Sequence, residues 1–318
     1  MRTTFNQITE LLRGQDDIVI LTHKRPDGDT LGSAAALCRG LRQLGKTAHL
    51  WPNPDLTPRF EALTEGLWAK EDTKAAYVCA VDIADRALLP QNAAERFADI
   101  DMAIDHHPSF KDYGTVGYCR PEAAGCGEII YDLLMALGCT LDKPMADAVY
   151  TAVATDTGCF CFSNTTPYTH TVAAACMAAG ADAANINYVN FRLKTRARVA
   201  LEGHIYSEMQ LIRSGRGSAV LLTRDYIESL QASDDDCDNL ASLLTQIDGV
   251  EIGTLLTEVK TRDAFKVSMR GRGHDVSAVC GKFGGGGHAG AAGCTLTGMD
   301  GHAALTAIIQ ALEEELDA

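Results

Sequence analysis

The sequence predicts a two-domain α/β protein, with a parallel-sheet first domain carrying helices on both faces and a smaller α+β second domain. Three observations carry this expectation. From Asp16 to about residue 160, short apolar runs alternate with helical patterns, the order that builds a parallel sheet. Asp and His residues follow several of those runs, at the strand ends where open parallel sheets bind ligands. Beyond about residue 190 the alternation stops and strands and helices follow another order.

Taken in order, the polar N-terminal stretch MRTTFNQITELLRGQDD reads as an amphipathic helix and not as a signal peptide. Strands are expected at 18–22, 47–51, 76–81 and 102–105, and helices at 31–44, 126–137 and 145–155. Gly45 and Gly138 stand where helix C-caps are expected, because glycine adopts the left-handed backbone that ends a helix at little cost. The first domain is assigned to 1–190, a helical linker of basic character to 191–210, and the second domain to 211–318. In the second domain strands are expected near 218–223, 252–259 and 264–270, with helices near 237–246 and 303–316. The acidic run SDDDCD from Ser233 reads as a helix N-cap with a negative first turn, which the helix dipole favours.

The composition excludes several classes. No apolar stretch approaches the ~20 residues of a membrane span, and a cytoplasmic location is expected. Eleven cysteines without a CxxC pair suit a reducing compartment and make neither a zinc ribbon nor a thioredoxin motif. The formal net charge of −14 argues against a binder of long nucleic acid, whose phosphates call for a basic surface. A short anionic substrate stays open, since bound cations and a few arginines can neutralise one or two phosphates.

Four short segments carry the chemistry: His23, Asp27 and Asp29 in THKRPDGD; Asp82 at the end of AAYVCAV; Asp105, His106 and His107 in AIDHHPS; and Asp156 in ATDTG. Singly, each reads blandly, as a helix cap, a turn residue, a solvated loop or a helix end. Together they supply the carboxylate and imidazole groups that hold divalent metals, and paired metals are a common means of hydrolysing phosphate esters. Gly28 and Gly32 are expected to permit a tight backbone path there. Further on, Gly284, Gly285, Gly286 and Gly287 can present backbone N–H groups to a phosphate, with His288 as an added donor.

The ordered set THKRPDGDTLGS, VD, DHH and TDTGCF, followed by GKFGGGGHAGAAG at 281–293, resembles the DHH phosphoesterase family with its DHH-associated C-terminal domain. The resemblance spans nearly the whole chain and is nearest to the nanoRNase and pAp phosphatase subgroup, which cleaves very short RNA and 3′-phosphoadenosine 5′-phosphate. It implies an active site in the cleft between the domains and two Mn²⁺ ions, with Mg²⁺ or Co²⁺ as alternatives. His23, Asp27 and Asp82 match one metal site; Asp29, Asp82, His106 and Asp156 match the other, with Asp82 bridging. Asp105 matches a residue that orients His106, and His107 one that faces the scissile phosphate. Ser268-Met269-Arg270 resembles the family's SxR strand, in which Arg270 grips the non-scissile phosphate, although Gly271 stands where the family commonly has serine. The implied activity is hydrolysis of nanoRNA, pApA and pAp, the alternative being a cyclic di-AMP phosphodiesterase. A RecJ-type exonuclease, a family II pyrophosphatase and a non-catalytic nucleotide sensor are weaker readings. The expected partner is a short oligonucleotide or dinucleotide, with no long nucleic acid and no membrane, and a homodimer is left open.

Overall fold

The computed structural model describes residues 2–317, which divide into two compact units between Leu193 and Lys194. In the first unit, strands β1 (Ile18–Leu21), β2 (Ala48–Leu50), β3 (Tyr77–Val81), β4 (Met102–Asp105) and β5 (Val116–Cys119) form a parallel sheet in the order β2-β1-β3-β4-β5. Side chains alternate across a strand, and here both faces are buried. Ile18 and Ile20 of β1, with Cys79 and Val81 of β3, enter one core; Val19, Leu21, Val78 and Ala80 enter the core on the opposite face. That two-sided burial explains why these strands read as continuous apolar runs. β5 escaped the sequence reading because it is only four residues long and a glycine interrupts it.

Helices Gly28–Gln43 and Lys143–Asp156 pack on the first core at very short range. A Cβ at Gly32 would sit 2.4 Å from the carbonyl oxygen of Ala148 and 3.0 Å from Ala152 Cβ. One at Gly28 would sit 2.5 Å from the Thr155 side chain. Both glycines lie inside the helix with ordinary φ, so the expectation that they serve a tight backbone path is corrected: they allow two helices to touch. Gly32→Ala should therefore destabilise the unit by about 1–3 kcal/mol through overpacking against a backbone oxygen that cannot swing aside. Urea denaturation checks this, and an unchanged midpoint would mean that the helices separate freely.

The second unit begins earlier than the expected boundary. Helix Arg196–Glu208, expected within a linker, buries Leu201 and Ile205 against Val220, Leu222 and Leu244 as part of that unit's core. Its mixed sheet runs β10-β11-β9-β8-β7-β6, with β6 (Gln210–Ile212), β7 (Gly217–Leu222), β8 (Ile252–Glu258), β9 (Ala264–Gly271), β10 (Gly286–His288) and β11 (Ala291–Thr297). Only β7 and β8 pair in parallel. Ser233 caps a short helix, Asp234–Cys237, through a capping box, as its sequence predicts. The longer helix expected at 237–246 is broken instead by Asn239, whose φ of 49° lies in the left-handed region, and only a 3₁₀ turn, Leu240–Gln246, follows. The last helix, Gly301–Asp317, covers the sheet through Ala304, Ile308 and Leu312. Among the described residues no helix is long and apolar enough to cross a membrane.

Candidate metal centre

Asn53 ties down the loop after β1, its Nδ2 donating to Thr22 Oγ1 and to the His23 carbonyl, each at 2.9 Å. The His23 ring meets the Lys24 carbonyl through Nδ1 at 2.8 Å, so Nδ1 carries the proton and the Nε2 lone pair is free. Nε2 faces Asp27 Oδ1 at 3.6 Å and Asp82 Oδ2 at 3.8 Å. Asp27 also caps its own helix, accepting from the N–H groups of Asp29 and Thr30. Asp29 does not cap that helix. It turns to the start of another, Cys126–Leu137, where Oδ2 accepts from Cys126 N at 2.7 Å and Oδ1 from Gly127 N at 2.9 Å.

Asp82 stands just past the end of β3 with a φ of 60°, a left-handed conformation that a non-glycine residue holds only where its surroundings impose it. Its carboxylate is buried, and its two oxygens face different histidines. Oδ2 looks to His23; Oδ1 looks to His106 Nε2 at 3.6 Å and His107 Nδ1 at 3.5 Å. His106 Nε2 lies 3.8 Å from Asp29 Oδ2 and 3.7 Å from Asp156 Oδ2, while its Nδ1 faces the Ala123 carbonyl at 3.3 Å. Both His23 and His106 thus anchor one nitrogen on a backbone oxygen and aim the other at carboxylates, the arrangement that prepares an imidazole for a metal.

Asp105, expected to orient His106, meets that residue through its backbone and not through its ring. Asp105 Oδ1 accepts from the backbone N–H groups of His106 and His107 and from His107 Nδ1 at 2.8 Å, so the ring that it fixes belongs to His107. A strand-end carboxylate bends back on the next two residues, and the Nδ1 of the second is the nearer. That hydrogen bond, ahead of the opposing burial, raises the His107 pKa above its ordinary value.

Electrostatics test whether these residues suit divalent cations. Burial, then the neighbouring Asp156 and Asp27, pushes the Asp29 carboxyl well above the usual carboxylate range; burial and then Asp29 do the same for Asp82. Asp156 rises to about 6, through burial and then Asp27. Burial and the adjacent His107 hold His106 low, favouring the neutral ring that offers a lone pair. Among the described residues no lysine or arginine forms an ion pair with Asp27, Asp29, Asp82, Asp105 or Asp156; the basic side chains within ion-pair range of them are histidines. Asp82 Oδ1, Asp105 Oδ2 and His106 Nε2 are buried without a hydrogen-bond partner. Bound cations would resolve both the repulsion and the unmet acceptors. The spacing fits as well, since donors around one octahedral ion with ~2.1 Å bonds lie ~3–4 Å apart. The candidate ligand groups are His23–Asp27–Asp82, Asp29–His106–Asp156, and Asp82 with Asp105–His107.

Sequence reasoning missed Gly125 and Asn164. A Cβ at Gly125 would lie 2.9 Å from Asp29 Oδ2 and 3.2 Å from Asp156 Cβ, so only glycine lets the two carboxylates close on that backbone. Its signal was present, a Gly-Cys-Gly run opening a helix. Asn164 Nδ2 donates to the Ala124 and Asp156 carbonyls at 2.7 and 3.1 Å, and nothing in its local sequence marked it.

In the second unit the glycine run is not the open loop that it resembles. β10 and β11 form a hairpin that pairs antiparallel with β9, aligning His288 with Ala291 and Ala291 with Arg270, and Gly286 with Gly293 and Gly293 with Ser268. Residues opposite one another in antiparallel strands share a face. Ser268, Arg270 and His288 therefore share the face opposite the buried Val267 and Met269, with only Ala291 and glycines between them. Arg270 donates to the Met269 carbonyl and to Asn239 Oδ1, and has no acidic partner among the described residues. Gly285 and Gly287 are required sterically, because a Cβ would meet the Gly293 carbonyl at 2.3 Å and the Ala291 carbonyl at 2.6 Å. Gly286 has open space at that position.

The DHH family's N-terminal domain model matches residues 17–153, and the DHHA1 domain model matches 221–318. A Thermus thermophilus protein named bifunctional oligoribonuclease and PAP phosphatase NrnA is 32% identical over 97% of this chain and 93% of its own length. A Bacillus subtilis protein of the same name is 27% identical over 96% and 99%. The crystal structure of an exopolyphosphatase-related protein from Bacteroides fragilis has the same fold, with a TM-score of 0.85, 21% identity, and coverage of 98% of this chain and 95% of that one.

Proposed function

The chain belongs to the DHH family, and from that premise we propose that it is a metal-dependent phosphoesterase that hydrolyses very short RNA, such as pApA and other dinucleotides, and pAp to mononucleotides. The relatives' activity and the site support this together, and one observation carries it: Asp82 directs its two oxygens at two separate histidine–aspartate sets. In this reading His23, Asp27 and Asp82 hold one divalent ion, and Asp29, Asp82, His106 and Asp156 hold a second, Mn²⁺ being the first choice for mixed imidazole and carboxylate donors and Mg²⁺ or Co²⁺ alternatives. Such a pair, when bound, activates water near neutral pH and screens the phosphoryl oxygens. Asp29 and Asp82 hold their oxygens in place through backbone N–H bonds and burial respectively. Asp105 keeps the His107 proton at Nδ1 and turns Nε2 outward, where it donates to the phosphoryl group once the ring is protonated. Arg270, Ser268, Gly285, Gly286, Gly287 and His288 form the proposed grip for a terminal phosphate.

Purified protein with Mn²⁺ should turn over pApA, pAp or short oligoribonucleotides, resolved by chromatography beside cyclic di-AMP and pyrophosphate, with rates falling as the oligonucleotide lengthens. Turnover of pyrophosphate alone, or undiminished rates on long single strands, would replace this reading. Arg270→Ala should raise KM roughly 10–100-fold for substrates with a terminal phosphate while sparing kcat, the loss of one charge-assisted hydrogen bond of ~1.5–3 kcal/mol. Gly286→Ala, which fits the free protein without a clash, should raise KM in the same direction without lowering Tm. Unchanged KM in both variants would remove the phosphate grip from that face.

A further inference from the structure

Three of the residues proposed to hold the second metal are each positioned by a single short segment, 123–127. The Ala123 carbonyl faces His106 Nδ1 at 3.3 Å. The Ala124 carbonyl accepts from Asn164 Nδ2, which also bonds the Asp156 carbonyl and lies 3.5 Å from Asp156 Oδ2. The N–H groups of Cys126 and Gly127 hold both oxygens of Asp29. Among the described residues, no hydrogen bond from this segment reaches His23 or Asp27. Segment 123–127 thus serves one metal set and not the other.

What holds the segment is a buried acid that touches neither set. Glu128 is 2% exposed, at the start of helix Cys126–Leu137. Its Oε2 accepts from Ala124 N at 3.3 Å and lies 3.9 Å from Arg120 Nη2; its Oε1 accepts from Thr169 Oγ1 at 2.6 Å. Arg120 is tied in turn to Asp132 through Nη1 at 2.5 Å, and Tyr168 donates to the other Asp132 oxygen. The Arg120 backbone N–H reaches the Asp105 carbonyl at 3.1 Å, so the brace begins where the His106 strand ends. A buried carboxylate is costly unless each oxygen finds a partner, and here the partners lie on both sides of the segment that it braces.

We propose that Glu128 is a positioning residue for one metal ion only, the one assigned to Asp29, Asp82, His106 and Asp156, acting through the backbone of 123–127. This rests on the two-metal reading above. Glu128→Gln removes the charge opposite Arg120; its amide either turns an N–H₂ toward Ala124 N–H or points it at Thr169 Oγ1, which already accepts from Thr166 N. Outer partners of metal ligands commonly change affinity by ~10–100-fold, and a loss of that size is expected here.

The experiment is Mn²⁺ titration calorimetry of the full chain, metal-free at the start, with thermal melting alongside. Wild type is expected to bind two ions. Glu128→Gln should retain one at wild-type affinity and weaken the other by at least tenfold, with activity recovering as Mn²⁺ is raised. Thr169→Val removes one donor to Glu128 with little change of shape, along with the capping-box acceptor of Thr166 N, whose loss lowers Tm without favouring either ion. It should shift the same ion in the same direction by a smaller factor, and it carries the test should Glu128→Gln fold poorly. Equal weakening of both ions, as a general loosening of the fold would give, overturns the proposal, and so do two unchanged affinities in Thr169→Val. A wild type that binds fewer than two ions would instead defeat the two-metal reading itself.

Discussion

Asp82→Ala is expected to abolish hydrolysis, lowering kcat by ~10³-fold or more, because in the proposed site it removes the one carboxylate facing both metal sets. A metal's charge stabilisation is worth several kcal/mol at the transition state, and each ~1.4 kcal/mol is a factor of ten. The isosteric Asp82→Asn should be equally inactive, yet stability should move the other way. Without metal, Asp82 is a buried carboxylate among Asp29, Asp27 and Asp105, and its raised pKa records first that burial and then the repulsion. Asparagine also tolerates the φ of 60° at this position. The metal-free Asp82→Asn protein should therefore melt no lower than wild type, while the rise in Tm that Mn²⁺ gives the wild type disappears. Turnover near the wild-type rate in a folded variant would remove Asp82 from the reaction. A Tm gain from Mn²⁺ equal to that of wild type would remove it from the metals.

His107→Ala should lower kcat by ~10²–10⁴-fold, the usual range for a positioned acid–base group, with little change in Mn²⁺ affinity. His107 is the more exposed member of the His106–His107 pair: its side chain is 45% accessible, whereas that of His106 is 12%. Its Nδ1 is spent on Asp105, leaving Nε2 for substrate. Asp105→Asn tests the same link, because the amide accepts fewer hydrogen bonds than the three that Asp105 Oδ1 receives. It should lose kcat in parallel, and the double variant should lose little more than either alone, as residues acting through one another do. Steady-state kinetics beside Mn²⁺ titration separates the cases. A His107→Ala enzyme with unaltered kcat, or one whose defect vanishes as Mn²⁺ is raised, would make His107 a metal ligand or a bystander.

Much of the fold was readable because its physics is local. The apolar runs that became β1, β3 and β4 are buried on both faces, so each run announces a central parallel strand and each acid or histidine just beyond it announces a candidate ligand at the carboxyl end of the sheet. Helix Cys126–Leu137 matches its expected span, with Gly138 ending it at a φ of 85°. The misses fall where the deciding contact is distant. β5 and the β10–β11 hairpin are short or interrupted by glycine, and they exist because a neighbouring strand supplies their hydrogen bonds. Asn239 breaks a helix pattern that apolar spacing alone would have continued.

The candidate site divides along the same line. His23, Asp27, Asp29, Asp82, Asp105, His106, His107 and Asp156 were legible by residue type and by position after strands and helices, since donor chemistry is carried by the side chain itself. Their relations were not. Asp29 reaches Cys126 N, 97 residues away, and Glu128 accepts a hydrogen bond from Thr169, 41 residues away. That Asp105 fixes the His107 ring and not the His106 ring is a local bond, but which of two adjacent imidazoles turns to it is set by the packing around them. The sequence by itself determined which groups could bind metal and which strand ends would offer them. Only the tertiary structure decided which oxygen faces which nitrogen, because burial forces each polar atom to find a partner, and the packing of distant segments decides which one is within reach.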